Sequence, residues 1–245
     1  LALHPAWQGR RALLAATLAA GLMSLSLETL QIYLPSRIAS NVDLAANFLG
    51  GLLGAIAASL FSRRLLRGQG LQALRYRLFH EGAKIDLGLV LLGLWLLTLL
   101  YPATSLFGNG DLRAVFSAPV AKLHPGELFM RYEALVAGTN TVALGMLLAL
   151  LTERDQPVRA LFAALMVAAL AVRTVSYGVL FDAQKLFDWL TPGATFGLAA
   201  GVLVVFVAVM LPRPFKVMLC GLGLMSGTAI VNFAPENPYF LAAVS

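Results

Sequence analysis

The sequence predicts an all-α fold, a polytopic transmembrane helix bundle with about seven transmembrane helices. Three observations carry this. Of 245 residues, 59% are hydrophobic and only 12% are charged, about half the ~25% charge of a soluble globular domain. Mean hydropathy is +0.81. The apolar residues also fall into runs near the ~20 residues that a helix needs to cross a ~30 Å hydrocarbon core. A disordered chain would need low hydrophobicity and high charge. A disulfide scaffold is excluded because Cys220 is the single cysteine. Barrel strands would be about ten residues long with alternating polarity, and these runs do not alternate.

The runs follow in order. The first, Leu13–Leu34, is longer than the ~7–15-residue apolar core of a signal peptide, and a polar cluster follows it where a cleavage site would be. The second is Asp43–Phe61 and the third Ile85–Tyr101. Between them, residues 70–80 mix Leu71, Leu74, Leu78 and Phe79 with Arg75 and Arg77, the pattern of a short helix lying on a bilayer surface. Residues 103–127 contain Pro119, Pro125, Gly108 and Gly110, which break regular structure. The fourth run is Arg131–Leu151 and the fifth Arg159–Phe181. Residues 182–191 set Phe187 and Trp189 beside Asp182, Lys185 and Asp188, as in an interfacial aromatic belt. The sixth run is Ala194–Leu211 and the seventh Phe215–Phe233. Gly50 and Gly54, Gly193, Gly197 and Gly201, and Gly223 and Gly227 recur four apart, a spacing that lets helix backbones approach closely. Leu1 opens the sequence and "LALHP" reads as the tail of an apolar run, so an upstream helix is expected. The organisation expected is 1–61, the end of a domain with a polar motif; 62–101, a cytoplasmic interfacial segment and the third helix; and 102–245, a C-terminal membrane region of four helices.

The formal charge of +6 and pI near 9.8 fit the enrichment of Lys and Arg in cytoplasmic loops; the expected partner is the lipid bilayer, with no nucleic acid. With the start of the first run inside, the inner segments hold twelve basic residues. These are Arg10, Arg11, Arg63, Arg64, Arg67, Arg75, Arg77, Lys84, Arg154, Arg159, Arg213 and Lys216. The outer segments hold five: Arg37, Arg113, Lys122, Arg131 and Lys185. This bias orients the bundle and leaves the C-terminus outside.

Polar groups within a membrane are costly, by ~2.5–3.5 kcal/mol for a charge at a helix centre, and mark candidate sites. Glu28 lies about 9 Å inside the outer end of the first run at ~1.5 Å per residue, and Gln31 is one turn further out. Arg37 falls in the short connection. Asp43 and Asn47 are four apart and share a face. Arg173 lies about 12 Å inside the end of the fifth run. All are in the predicted outer half, which points to an externally open polar cavity. Structural roles account for the same residues. On this alternative reading Asp43 would complement a helix dipole, Gln31 and Asn47 would be interhelical glue, and Glu28 would pair with Arg173, with Asp182 the second candidate acid.

The stretch "SLETLQIYLPSRIASNVDLAANFLGGLLG" resembles the VanZ-like family of bacterial membrane proteins. The family's order is a Glu and a Gln one turn apart, an Arg after a Pro-containing stretch, then Asp and Asn followed by glycines. Glu28, Gln31, Arg37, Asp43, Asn47 and Gly50 match it over about 40 residues. The resemblance implies a multi-pass protein of the bacterial inner membrane, and members carry helices ahead of the motif. The family's name comes from a protein linked to teicoplanin resistance, which implies a role in the cell envelope. The last four runs lie outside the motif.

Enzyme signatures are sparse. His4, His80 and His124 fall in separate loops on different sides of the membrane, so no metal site is expected. Ser24 and Ser26 have no histidine nearby, and Cys220 sits mid-helix as a packing residue. No catalytic residue and no cofactor are assigned. The function expected is binding or modulating an envelope component, lipid-linked or peptidoglycan-related, through Glu28, Gln31, Arg37, Asp43, Asn47 and Arg173. The alternatives are an enzyme on such a lipid, with Glu28 or Asp43 as base and Arg37 or Arg173 on phosphate; a transporter, which has no visible inverted repeat; and a scaffold.

Overall fold

The computed structural model describes residues 10–31, 41–61, 69–101, 105–112, 126–180, 184 and 186–233. Eight helices run through them: α1 (Arg10–Gln31), α2 (Asn41–Phe61), α3 (Gln69–Leu78), α4 (Ala83–Thr98), α5 (Gly126–Leu151), α6 (Val158–Leu180), α7 (Pro192–Ala208) and α8 (Arg213–Phe233). The seven apolar runs correspond to α1, α2 and α4 to α8, and the short amphipathic segment is α3. The chain divides into two compact units, Leu1–Arg77 and Leu78–Ser245.

Among the described residues, four helices are long and apolar enough to cross a membrane: Arg10–Leu30, Glu127–Leu151, Val158–Leu180 and Arg213–Phe233. α7 has 17 residues and α4 has 16, whereas α2 runs for 21. At ~1.5 Å per residue, helices of 16 or 17 residues fall short of ~30 Å. Helix length therefore supports several crossings without fixing the number at seven.

The first unit is built on the antiparallel α1–α2 pair. Its contacts set the register. Asn47 Nδ2 donates to Ser24 Oγ at 3.0 Å. Gly51 lies against Ala20, and a Cβ on Gly21 would come within 2.9 Å of Phe48. Side chains away from the seam stay exposed, among them Leu14, Leu18, Leu22 and Leu53. On a soluble protein that would be an aggregation surface; it fits helices that cross a membrane.

In the second unit α5 is the axis. Val136, Ala137, Ala143 and Met146 on it are fully enclosed, and α7 and α8 pack on it most closely. The glycine spacing has its physical cause here. A Cβ on Gly193 would lie 2.6 Å from the Met130 carbonyl oxygen, one on Gly201 2.9 Å from that of Gly138, and one on Gly223 2.8 Å from that of Thr139. Gly197 sits directly on the Ala134 carbonyl. The same spacing at Gly50 and Gly54 has another outcome, since a Cβ at either would meet nothing within 4 Å. In the first unit close approach falls to Gly21 and Gly51.

Residues 105–112 tuck into one end of this unit. Leu106 and Phe107 are buried, and Phe107 packs on Trp95 with ring centroids 5.1 Å apart. Asn232 holds the segment: its Oδ1 accepts from the Leu112 N–H at 2.9 Å and its Nδ2 donates to the Gly110 carbonyl at 2.8 Å. At the opposite ends of α4 and α5, Phe79 pairs with Thr152, His80 N–H donates to the Leu151 carbonyl and Glu153 N–H to the Leu78 carbonyl.

Candidate functional site

In the first unit, the α1 face turned to α2 carries Thr17, Ser24 and Glu28, all buried. Ser24 and Glu28 are four apart and so share that face. The antiparallel register set by Ser24 opposite Asn47 and Ala20 opposite Gly51 brings Asp43 level with Glu28. The two carboxylates differ in setting: Glu28 is 9% exposed, whereas Asp43 is exposed in the first turn of α2, where an acid complements the helix dipole. Gln31 closes α1. Arg37 lies outside the described residues, in the connection between the two helices. Ser24 is a residue of this face that sequence reasoning passed over. Its signal was its position one turn before Glu28, not the nearby histidine a nucleophile would need.

Arg173 belongs to the second unit and is 1% exposed. Its Nη1 donates to the Tyr101 carbonyl at 2.8 Å, and one turn away Ser176 Oγ donates to the Leu100 carbonyl at 2.5 Å. Both acceptors lie just past the end of α4, where helix carbonyls lack intrahelical partners. The cation also lies over the Tyr177 ring, 5.1 Å from its centroid, and hydrogen-bonds with the Tyr177 side chain. An acid acting on it electrostatically is Glu133. Sequence reasoning did not single out Glu133; Asp182, one acid expected within reach of Arg173, lies outside the described residues.

Glu133 is buried at 4%. It accepts from the Thr191 hydroxyl at 2.5 Å, and the Thr191 oxygen in turn accepts the Ala194 N–H at 3.2 Å, which sets Glu133 beside the N-terminus of α7, the positive end of a helix dipole. Trp189, expected in an outer aromatic belt, is instead buried at 5% and donates its indole N–H to Thr174 Oγ1 at 3.2 Å. Phe187 is 62% exposed. A buried ring with a polar tip takes a hydrogen-bond partner where one is offered. These groups tie together α4, α5, α6 and the start of α7, and Arg173 is too enclosed to meet a ligand without rearrangement. A groove of about 400 Å³ opens between α5, α7 and α8. Its polar side chains, Thr139 and Ser226, donate their hydroxyl hydrogens back to carbonyls of their own helices, so they offer a ligand only acceptor oxygens.

The family model described as VanZ/LLP1 matches residues 1–62, the span of the α1–α2 pair and its polar face; the second unit lies beyond that match. No curated protein and no solved structure matches the chain.

Proposed function

We propose that this VanZ-like membrane protein presents an outward-facing polar site on the α1–α2 pair and uses it to bind or modulate a cell-envelope component, lipid-linked or peptidoglycan-related. The observation that carries this reading is the pairing of Ser24 with Asn47. It sets the register that brings Glu28 level with Asp43, at the end of the pair next to the connection holding Arg37. Two acids at one end of a helix pair, with an arginine in the sequence that connects the helices, offer an anionic headgroup a cation, and its hydroxyls or amines two carboxylates. A membrane is a costly place for such groups unless they serve a purpose. The reading takes seven crossings of the bacterial inner membrane, oriented by the Lys and Arg bias, and extends to glycopeptide susceptibility through the family likeness. Arg173, part of the site expected from sequence, serves here as a brace in the second unit.

The experiment is Arg37→Ala in the complete gene. The variant accumulates in the membrane with a melting temperature near that of the parent, and the envelope phenotype, read as susceptibility to a lipoglycopeptide, is lost. A stable variant with the parent's phenotype removes Arg37 from the site. A variant that fails to accumulate assigns Arg37 to folding.

A further inference from the structure

Residues 62–84 carry Arg63, Arg64, Arg67, Arg75, Arg77 and Lys84 against one acid, Glu81. Within them α3 is a ten-residue helix, too short to cross a bilayer, and only four residues separate its end from α4. Leu74 and Leu78 are four apart and share a face. At ~100° per residue, Arg75 and Arg77 fall about 80° to either side of that pair. Leu74 is 48% exposed, Arg77 is exposed, and the Arg75 guanidinium lies 4.7 Å from the centroid of the exposed Tyr76 ring. A helix lying flat on lipid needs this arrangement, with an aliphatic centre entering the acyl boundary and cations at both edges level with the phosphates. The chain that follows α3 is pinned. Phe79 bridges Thr152, the Leu78 carbonyl accepts from Glu153 N–H and His80 N–H donates to the Leu151 carbonyl, both at 3.0 Å. His80 Nδ1 also lies 2.8 Å from a Glu153 carboxylate oxygen.

We propose that α3 is a clamp on an anionic bilayer surface: Arg75 and Arg77 bind lipid phosphates, and Leu74 enters the acyl boundary. Charge complementarity selects an anionic partner. The exposed leucine beside the arginines and the nearness of α4 select a lipid surface over a soluble polyanion. The assignment is independent of any ligand at the α1–α2 pair.

The test uses the full chain with Cys220→Ala and Leu74→Cys, a bimane label on Leu74→Cys, and nanodiscs of brominated phosphatidylcholine with or without phosphatidylglycerol. The label is quenched in the anionic discs, and salt weakens the quenching. Each arginine near the surface contributes about a factor of five, so R75Q with R77Q lowers the bound-to-free ratio about 25-fold, while R75K with R77K keeps most of it. Quenching that ignores lipid charge, or that survives R75Q with R77Q, overturns the proposal. Protection by added RNA in neutral discs with no response to phosphatidylglycerol also overturns it and assigns the face to a soluble polyanion. If R75Q with R77Q loses its helix signal or its monodisperse peak, R75K with R77K decides, and absence of quenching there overturns the clamp.

Discussion

Thr191 donates its hydroxyl hydrogen to the Glu133 carboxylate, Oγ1 to Oε2 2.5 Å, while the same oxygen accepts the Ala194 N–H at 3.2 Å. One hydroxyl thus caps α7 and fastens it to α5, and the carboxylate it holds acts on Arg173 of α6. Three helices meet through one buried acid, in a part of the chain beyond the VanZ/LLP1 match.

Removing one charge from this set costs more than removing both. Glu133→Ala removes a carboxylate that acts on Arg173 and takes from the Thr191 hydroxyl its acceptor, and it lowers stability by about 1–3 kcal/mol, as for a buried polar group left unsatisfied. Glu133→Met combined with Arg173→Met costs less than the two single changes added together. Thermal unfolding in detergent across the four-protein cycle reads the coupling; strictly additive losses would show that the two residues do not act as a pair.

The glycines separate by what faces them. Gly197→Ala drives a methyl group into the Ala134 carbonyl and costs about 3 kcal/mol, the upper end of ordinary overpacking. Gly54→Ala meets open space, so it is neutral or gains up to about 1 kcal/mol from helix propensity. The difference in melting temperature between these single-methyl variants is the measurement, and equal effects would refute the α5–α7 packing.

Topology is checked by labelling intact and permeabilised cells. With Cys220→Ala as background, Leu112→Cys labels from outside. Asp155→Cys and Gln69→Cys label only after permeabilisation. Leu112 and Asp155 are both exposed, so the reagent reaches each if the compartment is right. Labelling of Leu112→Cys and Asp155→Cys from the same side would contradict a crossing by α5.

Much of the fold was legible in the sequence, for a local reason. A helix in lipid must satisfy its own backbone hydrogen bonds, so an unbroken apolar run is already a statement about conformation. That is why seven runs matched seven helices, and why the leucines and arginines of 70–80 marked α3. The polar face of the α1–α2 pair was legible too, because Glu28, Asp43 and Asn47 stand out against an apolar background, and the matched family covers that span. Glu133 was not legible in the same way. It sits near the start of a run beside Arg131 and Tyr132, where an acid is expected to reach water.

What the sequence determined by itself was where helices lie and which residues are expensive in a membrane, since each depends on a residue and its near neighbours along the chain. What only the tertiary structure decided was which faces meet. Gly197 sits on a facing carbonyl while the equally spaced Gly54 does not, Trp189 turns inward to Thr174, and Glu133 is held by Thr191 and acts on Arg173. Those outcomes depend on side chains and backbone brought together from 15 to 63 positions away in sequence, and neither spacing nor composition encodes the distance between two helices.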